Sequence, residues 1–154
     1  MQFASYFFAS VISFLGIFIG FALLKIAPEE QKPLMGYFSF GKKLLLLLIF
    51  IFLLFYYSFS SSYILGLVAC CIYLLYIEHK MKDLPKKSMI SYAVFGALFF
   101  LSSKDTGLFV FISGLILLYG MFASSMLGTN PRFYGKFLAK NSVFILIANI
   151  LFFL

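Results

Sequence analysis

Charged residues are scarce in this sequence. Asp, Glu, Lys and Arg together make up 11% of its 154 positions, tryptophan is absent, and 64% of the residues are hydrophobic. A typical soluble domain is about 25% charged and about 45–50% apolar. A chain of this length cannot bury so much apolar surface by folding on itself in water, which excludes an ordinary soluble domain. The composition therefore predicts one integral membrane domain covering residues 1–154.

Cysteine and histidine are almost absent as well. Cys70 and Cys71 are adjacent inside an apolar run, where a bridge between them would be strained. His79 is the only histidine, so a metal site or an activated serine would lack the partner that such chemistry usually needs. The sequence thus predicts no metal and no cofactor, and it favours a protein that is not an enzyme.

Ionisable residues are missing from the apolar runs. They cluster between the runs, so no Asp, Glu, Lys, Arg or His is expected well inside a membrane span. Because an ionisable residue inside a span typically marks an ion or proton pathway, this argues against a proton-coupled pump or a voltage sensor. Asn149 is the one strongly polar side chain expected deep in a span. It is predicted either to form a hydrogen bond between helices or to line a pathway.

What the sequence does contain is a series of long apolar segments. They predict an all-α fold, a polytopic bundle of six transmembrane helices. Five spans are the alternative, because the last segment crosses only if its helix begins near Phe137. Pro33 and Gly36 are expected to break the helical pattern before the second span. The six segments cover residues 3–26, 44–59, 63–77, 89–101, 108–127 and 142–154.

Small residues recur at four-residue spacing in two of these segments. Gly16 and Gly20 lie in the first segment, and Gly120 and Ser124 in the fifth. Such spacing lets two helix backbones approach closely, so the first and fifth helices are predicted to pack together through these residues. The stripe of the first segment resembles the docking helix of small substrate-binding subunits of vitamin importers, and the resemblance covers only that stripe.

Basic and aromatic residues alternate between the fifth and sixth segments. Arg132, Lys136 and Lys140 are interleaved with aromatic side chains, which predicts one short interfacial helix with a basic face. That face is a candidate site for anionic lipid headgroups or for a soluble anion. The alternative is that these residues only set the topology, because cytoplasmic loops are generally basic.

The basic residues are distributed unevenly among the predicted loops. Eleven of the twelve Lys and Arg residues lie in the loops after the first, third and fifth segments, whereas Lys104 alone lies in an alternate loop. The positive-inside rule therefore predicts that both termini are extracytoplasmic. The net charge of +7 is explained by anionic lipid as a partner rather than by nucleic acid. We expect a prokaryotic cell membrane as the location.

Three functions are compatible with these features. The leading prediction is a non-enzymatic transport component, either a homo-oligomeric channel or carrier, or a small subunit of a larger membrane complex. The first alternative is a membrane enzyme acting on a lipid or lipid-linked substrate, with Glu78, His79 and Arg132 at the cytoplasmic interface. The second is a structural assembly factor of a membrane complex.

Overall fold

The chain folds as an all-α bundle. The computed structural model describes residues 2–27, 29, 31–57, 61–81, 83–127 and 131–154, without the side chains of residues 31, 32, 61–63 and 131–133. Within these residues there are seven helical segments: α1 (Phe3–Ile26), α2 (Gln31–Tyr56), α3 (Ser61–Lys80), α4 (Leu84–Ser102), α5 (Thr106–Ser125), α6 (Pro131–Asn141) and α7 (Val143–Phe152). Four stretches are long and apolar enough to cross a membrane: Phe3–Ile26, Pro33–Tyr56, Thr106–Ser125 and Tyr134–Phe152.

Helices α1 to α5 alternate in direction along the chain, and α6 and α7 together make one further crossing of the bundle in the direction opposite to α5. The parallel helices α1 and α5 share the most extensive contact in the bundle. The Phe3 ring lies 4.7 Å from the Phe153 ring between centroids, so both termini lie at the same end. At the other end, α1, α3 and α5 finish and α2, α4 and α6 begin. We call it the lysine-rich end.

The second helix begins earlier than the sequence predicted. It starts at Gln31 and continues through Pro33 and Gly36, so the expected break at these two residues is wrong. Pro33 falls in the first helical turn, where a missing N–H costs no intrahelical hydrogen bond. Gly36 costs about 1 kcal/mol of helix propensity, which is small for a helix of 26 residues.

The predicted short fourth segment becomes a full-length helix. It runs for 19 residues because it includes the charged residues before the apolar run. Asp83 caps its N-terminus by accepting a hydrogen bond from the Lys86 backbone N–H over 3.4 Å. Asp105 caps α5 in the same way, with 2.8 Å between its Oδ1 and the backbone N of Leu108.

The chain after residue 131 forms two helices that follow each other almost without interruption. Only Ser142 separates α6 from α7, and its N–H donates to the Leu138 carbonyl as in a continuous helix. The aromatic face of α6 is turned into the bundle: the Tyr134 ring lies 4.6 Å from the Phe21 ring, and Phe137 is fully buried. The predicted short helix is therefore present as α6, but it continues almost directly into α7, and Tyr134–Phe152 together form one apolar stretch long enough to cross a membrane.

The centre of the bundle is aromatic. Tyr92 of α4 is fully buried and meets Phe95, Tyr119 and Phe144 edge to face, each with 5.9 Å between ring centroids. Edge-to-face pairs contribute about 0.5–1.5 kcal/mol beyond the burial of their area. This cluster packs α4, α5 and α7 against one another, and its member Tyr119 also belongs to the site described next.

Candidate functional site: a buried ionic network

Four side chains from four consecutive helices meet inside the bundle. Lys42 Nζ of α2 lies 2.8 Å from Oε1 of Glu78 in α3, and Lys87 Nζ of α4 lies 2.8 Å from Oε2. The hydroxyl of Tyr119 in α5 donates to Oε1 over 3.2 Å. Lys87 Nζ also donates to the Glu78 backbone carbonyl over 3.2 Å. We call these four residues the ionic network, in which one carboxylate ties four helices together.

The network is enclosed although it lies near the lysine-rich end. The side chains of Lys42 and Glu78 are 2% and 1% exposed, and that of Lys87 is 10% exposed. Tyr119 lies six residues before the end of α5, which is about 9 Å along the helix axis. Lys42 Nζ also lies 5.9 Å from the centre of the Tyr119 ring, within the range of a cation–π attraction.

Helical periodicity explains why these charged residues point inward. On α2, Lys42 lies on the face that also carries Leu46, Ile49 and Leu53, all fully buried. On α3, Glu78 lies four residues after the buried Leu74 and next to the buried Ile77. Spacings of three, four and seven residues place side chains on one helix face, so the apolar stripe carries the charged residue into the interior.

The network overturns one expectation from the sequence. Lys42 lies inside the apolar stretch Pro33–Tyr56 and is almost completely buried, which differs from the expectation that ionisable residues lie between the apolar segments. From the sequence, Lys42 falls in the loop after the first segment, because the second predicted segment begins only at residue 44. Glu78 was assigned to the loop that contains His79, which the structure leaves exposed. The only local signal for the burial was the helical register with the apolar residues nearby.

The charges of the network do not cancel. Two ammonium groups share one carboxylate, so the network has one excess positive charge. Desolvating such charges costs several kcal/mol per ion, and attraction within the network repays this only with good geometry and further hydrogen bonds. Glu78 is the single anion that makes the arrangement possible. Its carboxylate is held by two ammonium groups and by the hydroxyl of Tyr119.

Gly16 and Gly20 lie at the contact between α1 and α5. A Cβ on Gly16 would overlap the backbone carbonyl oxygen of Leu117. A Cβ on Gly20 would overlap both the Ser124 hydroxyl and the Met121 carbonyl. Because these two positions of α1 have no side chain, the backbone of α5 comes close at two successive turns, and the Ser124 side chain comes close at the second.

Gly120 and Ser124 lie on the facing side of this contact. Ser124 is fully buried and donates to the Gly120 carbonyl of its own helix over 2.8 Å. A Cβ on Gly120 would overlap the hydroxyl oxygen of Tyr92, which comes from a third helix, and would approach the backbone N of Ile17 to 3.1 Å. Gly120 therefore makes room for α4 as well as for α1.

Asn149 lies between the last helix and the first. Its Nδ2 is 3.3 Å from Ser10 Oγ of α1 and donates to the Ile145 carbonyl of its own helix over 2.7 Å. A second amide, that of Asn141, is fully buried, and neither its Nδ2 nor its Oδ1 has a hydrogen-bond partner among the described residues. Sequence reasoning overlooked Asn141 because it stands beside Lys140 in a polar stretch.

The structure does not bring the predicted basic face together with the ionic network. Lys136 is exposed and Lys140 is half-buried on α6, and the side chain of Arg132 lies outside the described residues. Neither lysine is part of the network. Across the described chain, no group of three or more His, Cys, Asp or Glu residues is arranged to hold a metal ion.

Two apolar grooves lie elsewhere on the bundle. One, of about 290 Å³, runs between α1 and α5 and is lined by residues that include Ser13, Phe109 and Gly114. The other, of about 260 Å³, lies between Phe3 and Phe153 near the termini. Both are bounded almost entirely by apolar atoms, so they suit hydrocarbon rather than a polar solute. No residue of the network lines either groove.

Protein-family models, curated proteins and solved structures were each compared with the chain, and none of the three comparisons finds a match. No relative therefore supplies a role for the ionic network. Its role is inferred from its charges, its contacts and its position in the bundle.

Proposed function

We propose that this chain is a six-span membrane protein and a small carrier, in which the ionic network closes the lysine-rich end. The observation that carries the proposal is the sharing of Glu78 by donors from α2, α4 and α5. Well-packed apolar residues can stabilise a bundle as well as a buried ion network can. Ionisable groups enclosed among membrane helices typically belong to a transport pathway. Contacts between helices at one end of a bundle are also those that must break when that end opens.

The distribution of lysines supports a cytoplasmic position for this end. Eleven of the twelve basic residues lie near the ends of α1 and α3, in the first halves of α2 and α4, in α6, or at position 82 between α3 and α4. Regions of a membrane protein that are rich in Lys and Arg remain cytoplasmic. In this arrangement α3 and α4 are the two further spans, and both termini are extracytoplasmic. A single cysteine at position 86 should react with an impermeant thiol reagent from the cytoplasmic side, and one at position 104 only from the other side. Reaction of both from one side would contradict the arrangement.

The alternative of a lipid-modifying enzyme finds less support. A general base must reach the proton that it abstracts, but the Glu78 carboxylate is held by Lys42, Lys87 and Tyr119. His79 is exposed and belongs to no contact within the network. In a carrier, the contacts of the network would be formed while the lysine-rich end is closed and would separate when that end opens.

Transport is tested by reconstitution of the purified chain without a second protein. Liposomes are loaded with a mixture of small anions, cations and neutral polar solutes, and the loss of each is followed by mass spectrometry. We expect faster loss of one class than from protein-free liposomes, and a changed rate with Lys42→Met. Lys43→Met is the matched control, because Lys43 is adjacent but lies outside the network. Retention equal to that of protein-free liposomes for every class would overturn the proposal.

A further inference from the structure

The three donors around Glu78 form a binding site for a carboxylate. The two ammonium groups each approach a different carboxylate oxygen at 2.8 Å, and the Tyr119 hydroxyl adds a third donor to Oε1. Ion pairs of this length between an ammonium group and a carboxylate oxygen are typical of specific carboxylate recognition. In the closed bundle, the carboxylate in this site is a side chain of the protein itself.

The three donors belong to helices with extensive packing contacts, whereas the carboxylate belongs to a helix with fewer packing contacts. Lys42, Lys87 and Tyr119 belong to α2, α4 and α5, which pack extensively on each other or on α7. Glu78 belongs to α3, which, among the described residues, packs mainly on α2 and more weakly on α4. The opposite face of α3 is exposed, with Leu65 76% and Ile72 62% accessible. Displacement of α3 would therefore remove the carboxylate and leave the donors in place.

We propose that Lys42, Lys87 and Tyr119 bind the carboxylate group of a small solute when α3 moves outward, and that Glu78 occupies the same site in the closed state. This inference rests on the proposed carrier function and names its substrate class. The excess positive charge of the network favours an anion over a cation or a neutral solute. A bound carboxylate satisfies both ammonium groups, so opening does not leave them without a counter-charge.

The first test replaces the internal carboxylate with an external one. Glu78→Ala deletes Cγ and the carboxylate, which are the heavy atoms of acetate. In the detergent-solubilised variant, sodium acetate should produce a saturable rise in Tm of roughly 2–4 °C. Sodium chloride at equal concentration controls for ionic strength, and acetamide controls for shape without charge. Adding Lys87→Met to the variant should abolish the rise. An acetate effect no larger than that of chloride would overturn the proposal.

The second test uses the intact network, in case Glu78→Ala does not fold. Ile77, which is 5% exposed, is replaced by cysteine in a Cys70→Ala, Cys71→Ala background. Acetate should increase the rate of its reaction with N-ethylmaleimide, and Lys42→Met should remove this dependence. A cysteine in place of the exposed His79 is the control and should react equally with or without acetate. A rate at position 77 that does not depend on acetate would count against the proposal.

These measurements separate the carboxylate site from carrier function. Both are made in detergent and need no flux across a membrane. Acetate binding without solute loss from liposomes would leave the site standing and remove the carrier function. Solute loss of a class other than carboxylates, together with no acetate effect, would leave the carrier function standing and remove the site.

Discussion

The hydroxyl oxygen of Tyr92 occupies the space that a side chain on Gly120 would need. The two residues lie on α4 and α5, and the Tyr92 hydroxyl has no hydrogen-bond partner among the described residues. The tyrosine is fully buried, so this polar group is enclosed at the point where α1 and α5 cross. The pair therefore combines a tight contact with an unsatisfied hydroxyl, and the two effects can be separated by substitution.

Tyr92→Phe should leave the stability of the protein unchanged or increase it. The substitution removes a buried hydroxyl that gains no hydrogen bond, and such a group costs about 1–3 kcal/mol when it is left unsatisfied. Gly120→Ala should destabilise the wild type but cost less in the Tyr92→Phe background. Thermal unfolding of the two single variants and the double variant measures this coupling. Additive effects would show that the hydroxyl does not fill the space beside Gly120.

Gly16→Ala should lower the free energy of unfolding by about 1–3 kcal/mol, the usual cost of overpacking. The cost should lie at the upper end, because the added methyl group meets the Leu117 backbone rather than a side chain that can rotate. Gly114→Ala is the matched control, since a Cβ at Gly114 meets no atom within 4 Å. Chemical denaturation in detergent compares the two variants. Equal stability would mean that α1 and α5 do not approach as closely as described.

Glu78→Gln should destabilise the protein by about 3–5 kcal/mol, because it leaves two buried ammonium groups without a counter-charge. Asp83→Asn provides the comparison. Asp83 is 3.8 Å from Lys86, its side chain is 46% exposed, and exposed pairs contribute about 0–1 kcal/mol. Asparagine also caps a helix as well as aspartate does. Urea titrations monitored by circular dichroism should show a large shift for the first variant and little for the second; similar shifts would place Glu78 in contact with solvent.

Tyr6→Phe should lower stability by about 1 kcal/mol, the typical value of one intramolecular hydrogen bond. The Tyr6 hydroxyl donates to the Ala148 carbonyl over 2.9 Å and joins α1 to α7. Tyr37→Phe is the control, because Tyr37 is 73% exposed. Amide hydrogen exchange in residues 143–152 should increase in the first variant only. Unchanged exchange in these residues would show that the Tyr6 hydrogen bond does not stabilise α7 against α1.

Much of the helical framework could be predicted from the apolar runs. The bounds of α1, Phe3–Ile26, are those expected from the sequence, because a long run without Pro, whose one charged residue is Lys25 in the last turn, leaves little choice of helix limits. The limits of α2 were harder to predict. Pro33 and Gly36 look like breakers, but a breaker in a first turn or on an exposed face costs too little to stop a long helix.

The ionic network could not be predicted from any local pattern. Lys42 is separated from Glu78 by 36 positions and from Tyr119 by 77, and only the packing of α2, α3 and α5 brings them together. Charged residues beside an apolar run are normally loop residues, which is why both were assigned to loops. The buried face of each helix indicates inward direction, but it does not say which partner lies opposite.

The approach of Gly16 to the Leu117 carbonyl restricts which substitutions the protein can accept during evolution. A contact between two side chains can be retained when one becomes larger and the other smaller. Here the opposing atom belongs to the main chain, which is the same whatever residue occupies position 117. No exchange at position 117 can make room, so a larger residue at position 16 would require the two helix backbones to move apart at this contact.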